Sequence, residues 1–207
     1  MPFLDCEEDN NIRRDTTFEK LSALKPVFDK SQDATLTAGN STPLTDGAAA
    51  VLLASEEWAR KKNVPIEAYL TFTKVAAVNF VSDEGLLMAP AYAVSEMLRE
   101  ANLRLQDFDF YEIHEAFAAQ TIATLKAWQS EKFCRDRLGR NEPMGPIDLS
   151  KLNVKGGSLA MGHPFAATGA RIVATMAKLL SENGSGRGLI SVCTAGGMGV
   201  AVIMEAA

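Results

Sequence analysis

The chain has two histidines, and both sit in dense motifs that could do chemistry. His114 lies in Tyr-Glu-Ile-His-Glu-Ala-Phe-Ala (111–118), and His163 in Gly-Gly-Ser-Leu-Ala-Met-Gly-His-Pro (156–164). Cys193 follows in Cys-Thr-Ala-Gly-Gly-Met-Gly (193–199). Imidazoles move protons near neutral pH, and a thiol beside one serves as nucleophile or as acid/base. Glycines remove the side chains that would keep a bound group from the backbone. Each feature also has a purely structural reading. His114 could be a loop histidine bonded to backbone, the glycines could serve tight turns and close helix packing, and Cys193 could be a small buried residue. Neither glycine cluster has the GxGxxG spacing of a dinucleotide site, and no Walker loop is present, so a nucleotide-hydrolysis reading fails.

The elements that must position these residues are legible from periodicity and punctuation. A short helix is expected from Asp15 onward, ending before Pro26, and residues 35–47 read as a loop rich in turn formers. Ala48–Ala54 is a continuous apolar run that suits a buried strand, and Ser55 caps a helix through Asn63. Residues 66–78 form a second strand. Pro90 opens a helix with Val94, Met97, Leu98 and Ala101 on one stripe. A third strand, Phe108–Ile113, delivers His114 to the start of a helix from Glu115 to Trp128. Residues 129–150 read as an inserted polar surface arm. The glycine turn at 156–162 then leads through His163 and Pro164 into a long helix bearing Ile172, Val173, Met176, Leu179 and Leu180. Gly188–Val192 and Val200–Glu205 form a closing hairpin around the second glycine cluster. The alternation predicts an α/β layered domain, with a mixed five-stranded sheet covered by helices. His114 then falls at the carboxyl end of a strand and His163 at a helix start, the edge where α/β sheets bind ligands.

Composition narrows the class. With 207 residues, 47% of them apolar and 23% charged, the chain suits one well-buried globular domain. Twenty-one Lys and Arg against 26 Asp and Glu leave a net charge of −5, which argues against a nucleic-acid partner. No apolar run approaches the roughly 18–20 residues of a membrane span. Three cysteines at 6, 134 and 193 have no metal-ligand spacing and suggest a reducing compartment. Cys6 and Cys134 lie in polar stretches and look incidental. A cytoplasmic location is expected, with the mitochondrial matrix as the alternative. Residues 1–14 should be extended or disordered, with residues 15–207 forming the domain.

Four separated motifs, in order, carry a family resemblance. Gly39-Asn-Ser-Thr42 with Thr45-Asp-Gly-Ala-Ala49, His114-Glu-Ala-Phe-Ala118, Gly162-His-Pro164, and Cys193 with Gly196-Gly-Met-Gly199 resemble the carboxy-terminal half of a thiolase, from about Asp15 to Glu205. His114, Leu87-Met-Ala-Pro-Ala-Tyr92, Phe165-Ala-Ala-Thr-Gly-Ala-Arg171 and the arm make it similar to the beta subunit of the fatty-acid oxidation trifunctional complex. The resemblance implies thiolytic cleavage of 3-ketoacyl-CoA to acetyl-CoA and a shortened acyl-CoA, or the reverse Claisen condensation. It implies that His163 activates an acyl-accepting cysteine, that Cys193 is the acid/base at the alpha carbon, and that His114 stabilises the enolate oxygen. Thr42, Ala116 and Phe117 match positions lining the pantetheine channel, and Gly162 and Gly197 complete the expected substrate-binding set. Coenzyme A would be a substrate, with no permanently bound cofactor or metal.

The chain departs from the family pattern in one respect: no cysteine has the Cys-x-Ser-Gly context of the family's nucleophile. The expectation is therefore the acid/base half of a site. Its partners would be acyl-CoA, the missing amino-terminal thiolase half, and a further subunit in a homodimer or larger complex. Alone, the chain should be inactive. The alternative is a non-catalytic acyl-CoA-binding or assembly subunit. A condensing synthase is disfavoured by the second reactive cysteine, and a stand-alone Cys-His hydrolase would need Cys193 but no CoA acceptor.

Overall fold

The computed structural model describes residues 9–82 and 84–207, so Cys6 and the first eight residues of the segment expected to be extended lie outside it. Four strands, β1 (Ala68–Ala77), β2 (Phe110–Ile113), β3 (Arg187–Thr194) and β4 (Met198–Ala206), form one sheet in the order β1-β4-β3-β2. β4 runs antiparallel to both β1 and β3, whereas β2 is parallel to β3, which makes the sheet mixed as expected. The β3–β4 hairpin closes over Gly196 and Gly197, whose φ values of 90° and 76° exclude most side chains at no cost to glycine.

Seven helices surround the sheet: α1 (Phe18–Ser22), α2 (Glu56–Lys61), α3 (Ala89–Ala101), α4 (Ala118–Gln129), α5 (Glu131–Asp136), α6 (Ser158–Met161) and α7 (Phe165–Asn183). Local signals set their ends. The Thr17 and Ser55 hydroxyls accept from the backbone N–H groups of Lys20 and Trp58, capping α1 and α2. Pro90 occupies the first turn of α3, and left-handed Asn102 ends it. Gly184, with φ of 71°, ends α7.

The period-2 alternation of β3 and β4 divides the core between two helical layers. Leu189, Ala201 and Ile203 join Val94, Met97 and Leu98 of α3, while Ile190, Val202 and Met204 join Ile172, Met176 and Leu180 of α7. Each large apolar side chain buried this way contributes about 1.5–3 kcal/mol relative to exposure. The two layers therefore fix the strand ends beside which His114 and Cys193 lie.

Two sequence expectations change. Residues 129–150 are only partly a surface feature, because Cys134, Leu138, Met144 and Ile147 enter the core beneath α3. Cys134 donates to the Trp128 carbonyl at 3.3 Å, and Trp128, fully buried, donates its indole N–H to the Ala91 carbonyl at 3.3 Å. Composition missed this because a few apolar residues spaced among charges can still fill one pocket.

The second change is the strand count, four rather than five. Residues 48–54 form no strand, and Leu52 and Leu53 are 70% and 72% exposed. An apolar run becomes a buried strand only where another strand accepts its backbone hydrogen bonds. Among the described residues, β1 pairs on one side alone, with β4. The 48–54 run instead borders an apolar groove of about 720 Å³, walled by Leu52, Leu53, Tyr69, Leu70, Val173 and Ala177. Trp58, on the α2 helix whose Glu56 and Ala59 border the groove, is 41% exposed.

Candidate active site

The turn 114–117, between β2 and α4, is the hub of the site. Its position is fixed from both sides. The His114 N–H donates to the Ser191 carbonyl at 2.8 Å, which extends the β2–β3 ladder by one residue. Asn153, in the left-handed region at φ 47°, accepts from the Ile113 N–H through its side-chain oxygen and donates to the Ile113 carbonyl. The same Asn153 amide donates to Glu115 at 2.7 Å, and Glu115 accepts from the Leu159 N–H in the first turn of α6. The β2 end, the 114–117 turn and the loop before His163 are thereby tied together.

The loop 41–45 closes the other side. The Thr42 N–H donates to the Ala116 carbonyl at 3.0 Å, and its hydroxyl donates to the Ser158 carbonyl at 2.7 Å. Ser41 bridges to Phe117, and Leu44 to His163, whose N–H donates to the Pro43 carbonyl at 2.9 Å. Phe117 meets Phe28 edge to face at 5.5 Å. Gly162, at φ 93°, sits directly against Thr45.

These restraints bring the two imidazoles to a centroid separation of 4.3 Å. His114 is 2% exposed, and its Nδ1 lies 3.0 Å from the Ser158 hydroxyl. His163 is more open, with Nδ1 2.7 Å from the Thr168 hydroxyl, and Phe165 flanks its ring at 4.7 Å. Burial is the main reason that both histidines are driven toward the neutral form. The His114 pKa falls to about 4, with the His163 and Arg171 charges adding to the effect, and His163 is lowered by burial and then by Arg171.

Cys193 reaches the same turn from β3. Its thiol donates to the Gln120 side-chain oxygen at 3.6 Å. Burial pushes its pKa up to about 11, against the pull of the Cys193 and Ala116 backbone N–H groups. The thiol is therefore protonated at neutral pH. Gly197 lies apart from the imidazoles. It holds the hairpin against residues 78–80, its carbonyl accepting from the Val78 N–H, and a β-carbon there would stand 2.6 Å from the Val78 oxygen.

Several polar residues at the site were not singled out from sequence. Ser158, Gln120 and Asn153 contact site residues directly, and Arg171 donates through Nη2 to the Ser158 hydroxyl at 3.2 Å. Glu112, buried on β2, is pushed up to about 7, because burial outweighs the Arg171 charge. Glu112 Oε1 and the Arg171 Nε and Nη1 are buried with no hydrogen-bond partner. The one sequence signal near Ser158 was the glycine cluster around it, Gly156-Gly157 and Gly162.

The groove of 720 Å³ lies away from these residues, on the other side of α7. Among the described residues no group of His, Cys, Asp and Glu could hold a metal ion, and no helix is long and apolar enough to cross a membrane.

Comparison with known proteins gives consistent matches. The model of the thiolase C-terminal domain matches residues 65–206, and that of the thiolase N-terminal domain matches residues 4–57. A 3-ketoacyl-CoA thiolase of Shewanella sp. (strain W3-18-1) is 47% identical over 199 residues, covering 96% of this chain and 45% of the relative. The dimeric peroxisomal thiolase of Saccharomyces cerevisiae superposes with a TM-score of 0.81 at 36% identity, over 98% of this chain and 46% of that one. Human mitochondrial 3-ketoacyl-CoA thiolase in complex with CoA gives 0.76 at 35% identity, over 96% and 45%. The chain thus spans somewhat under half the length of the relatives it matches.

Proposed function

The chain belongs to the thiolase family, and we propose that it supplies the acid/base half of a 3-ketoacyl-CoA thiolase site whose acyl-accepting cysteine comes from another part of the enzyme. The observation that carries this reading is the convergence of two neutral imidazoles and a protonated thiol on the 114–117 turn. The long share of relatives named 3-ketoacyl-CoA thiolase, and a neighbour solved with CoA, support the substrate class.

The chemistry follows from the protonation states. His163, neutral and partly open, takes the proton from the attacking thiol. The thiolate adds to C3 of the 3-ketoacyl-CoA, and the C2–C3 bond breaks with its electron pair passing to the acetyl-CoA enolate. His114 donates a hydrogen bond to the enolate oxygen, the kind of directed donor worth on the order of 10²–10³-fold in rate. Cys193 gives its proton to C2, releasing acetyl-CoA. The resulting Cys193 thiolate takes the proton of the CoA thiol, which attacks the acyl-enzyme to give the shortened acyl-CoA, and the released cysteine thiolate recovers its proton from His163. A thiol held near 11 is an acid before it is a base, which suits the thiolytic direction. Neither Cys134, sealed in the core, nor Cys193, facing Gln120, is placed as an open nucleophile. Assembly with the remaining thiolase sequence, as a dimer or larger complex, completes the site.

The test is thiolysis of a medium-chain 3-ketoacyl-CoA by the purified chain, alone and mixed with a polypeptide carrying the remainder of a thiolase. No turnover alone and turnover in the mixture are expected. Turnover by the chain alone would overturn the half-site reading.

A further inference from the structure

The two histidines each pair Nδ1 with a hydroxyl, yet the two hydroxyls are committed in opposite ways. Ser158 receives a hydrogen bond from Arg171 Nη2 at 3.2 Å, and a guanidinium is donor only. That bond takes one of the two oxygen lone pairs, and among the described hydrogen bonds the serine proton has a single acceptor, His114 Nδ1, 3.0 Å away. Thr168 is the reverse. Its proton goes back to the Pro164 carbonyl one turn earlier in α7, at 3.4 Å, so its oxygen accepts what His163 Nδ1 offers at 2.7 Å.

We infer that Arg171, Ser158 and Thr168 are positioning residues that lock the paired imidazoles in opposite tautomers, His114 with its proton on Nε2 and His163 with Nε2 bare. One ring then presents a donor and the other a base. Two histidines 4.3 Å apart would otherwise be free to exchange roles. Arg171 is held for this task inside the protein. Its Nε and Nη1 are buried without partners, and its charge acts on Glu112, His114 and His163 alike. An arginine whose remaining donors go unmet is costly to bury for packing alone. The catalytic meaning of the two tautomers rests on the thiolase reading, but the tautomers themselves do not.

Nitrogen-15 imidazole NMR of the 207-residue chain at pH 7.5 reads the inference directly, because two rings give four nitrogens; a His163→Gln variant assigns them. The expected spectrum has one ring protonated at Nε2 and the other at Nδ1. Ser158→Ala should move His114 to a mixture of tautomers and leave His163 unchanged, Thr168→Val should do the converse, and Ser158→Thr should restore the native pattern. Both rings in the same tautomer in the unsubstituted protein would overturn the inference, and so would an unmoved His114 in Ser158→Ala. Should a variant fail to fold, the unsubstituted spectrum decides. Opposite tautomers in a chain that never supports thiolysis with its complement would overturn the catalytic reading alone. Thiolysis with identical tautomers would overturn this inference alone.

Discussion

Cys193 and His114 are poised by burial, and each has a measurable consequence. In the assembled enzyme, Cys193→Ser should suppress exchange of the acetyl-CoA alpha proton by at least 10²-fold while acylation of the partner cysteine persists. Deuterium exchange followed by mass spectrometry checks this, and unchanged exchange would sink the acid/base assignment. The pH dependence of folding is less obvious. His114 is lowered to about 4, so between about 4 and 6.5 the unfolded chain binds the extra proton and stability rises with pH. Glu112 is raised to about 7, so from 4.5 to about 7 the folded chain holds the extra proton and stability falls with pH. Each effect is on the order of 3 kcal/mol, and over the shared range they oppose each other. Glu112→Gln should therefore expose the His114 slope, with urea midpoints dropping as pH goes from 6.5 to 4. A flat midpoint in that variant would contradict the neutral, buried His114. The candidate residues His163 and Cys193 were visible in the sequence because rare residue types sat beside turn-forming glycines, and His114 because it follows a strand pattern at the start of a helix. Ser158, Gln120 and Arg171 were not, since only the fold decides which common polar residue faces an imidazole.

At the level of elements, α3 and β4 meet backbone to backbone. A β-carbon on Gly199 would stand 2.5 Å from the backbone nitrogen of Pro90, and backbone cannot step aside as a flexible side chain can. Gly199→Ala should cost about 1–3 kcal/mol by overpacking. Gly169, inside α7 with open space around it, is the contrast: Gly169→Ala should gain up to about 1 kcal/mol from helix propensity. Chemical denaturation of both variants checks the pair, and equal midpoints would contradict the joint. Helices α3 and α7 were readable because 3.6-residue periodicity agreed with the start signals at Pro90 and Pro164. The run 48–54 misled for a physical reason. Hydrophobicity reports a wish to be covered, whereas a strand needs a hydrogen-bonding neighbour, which pattern alone does not supply.

The molecule as a whole spans under half the length of its relatives, and apolar side chains stand open on its surface. Leu52, Leu53, Val75 and Phe165 are exposed around the unpaired edge of β1 and the outer side of α7. Large exposed apolar areas drive association, so the isolated chain should sediment as concentration-dependent oligomers. Leu52→Lys with Leu53→Lys should shift that distribution toward monomer in analytical ultracentrifugation; an unchanged distribution would place the contact elsewhere. The overall α/β class was legible from alternation, but which apolar residues stay exposed was not, because an apolar pattern does not say what a side chain packs against.

The two tryptophans occupy opposite environments, Trp128 sealed in the core and Trp58 exposed on α2. The chain consequently carries its own optical reference and its own optical reporter. Emission from Trp128 stays blue until the domain unfolds, while the red-edge emission of Trp58 is free to respond when something settles beside α2. Selective quenching by iodide separates the two colours, so assembly with a complementing polypeptide becomes visible without a label.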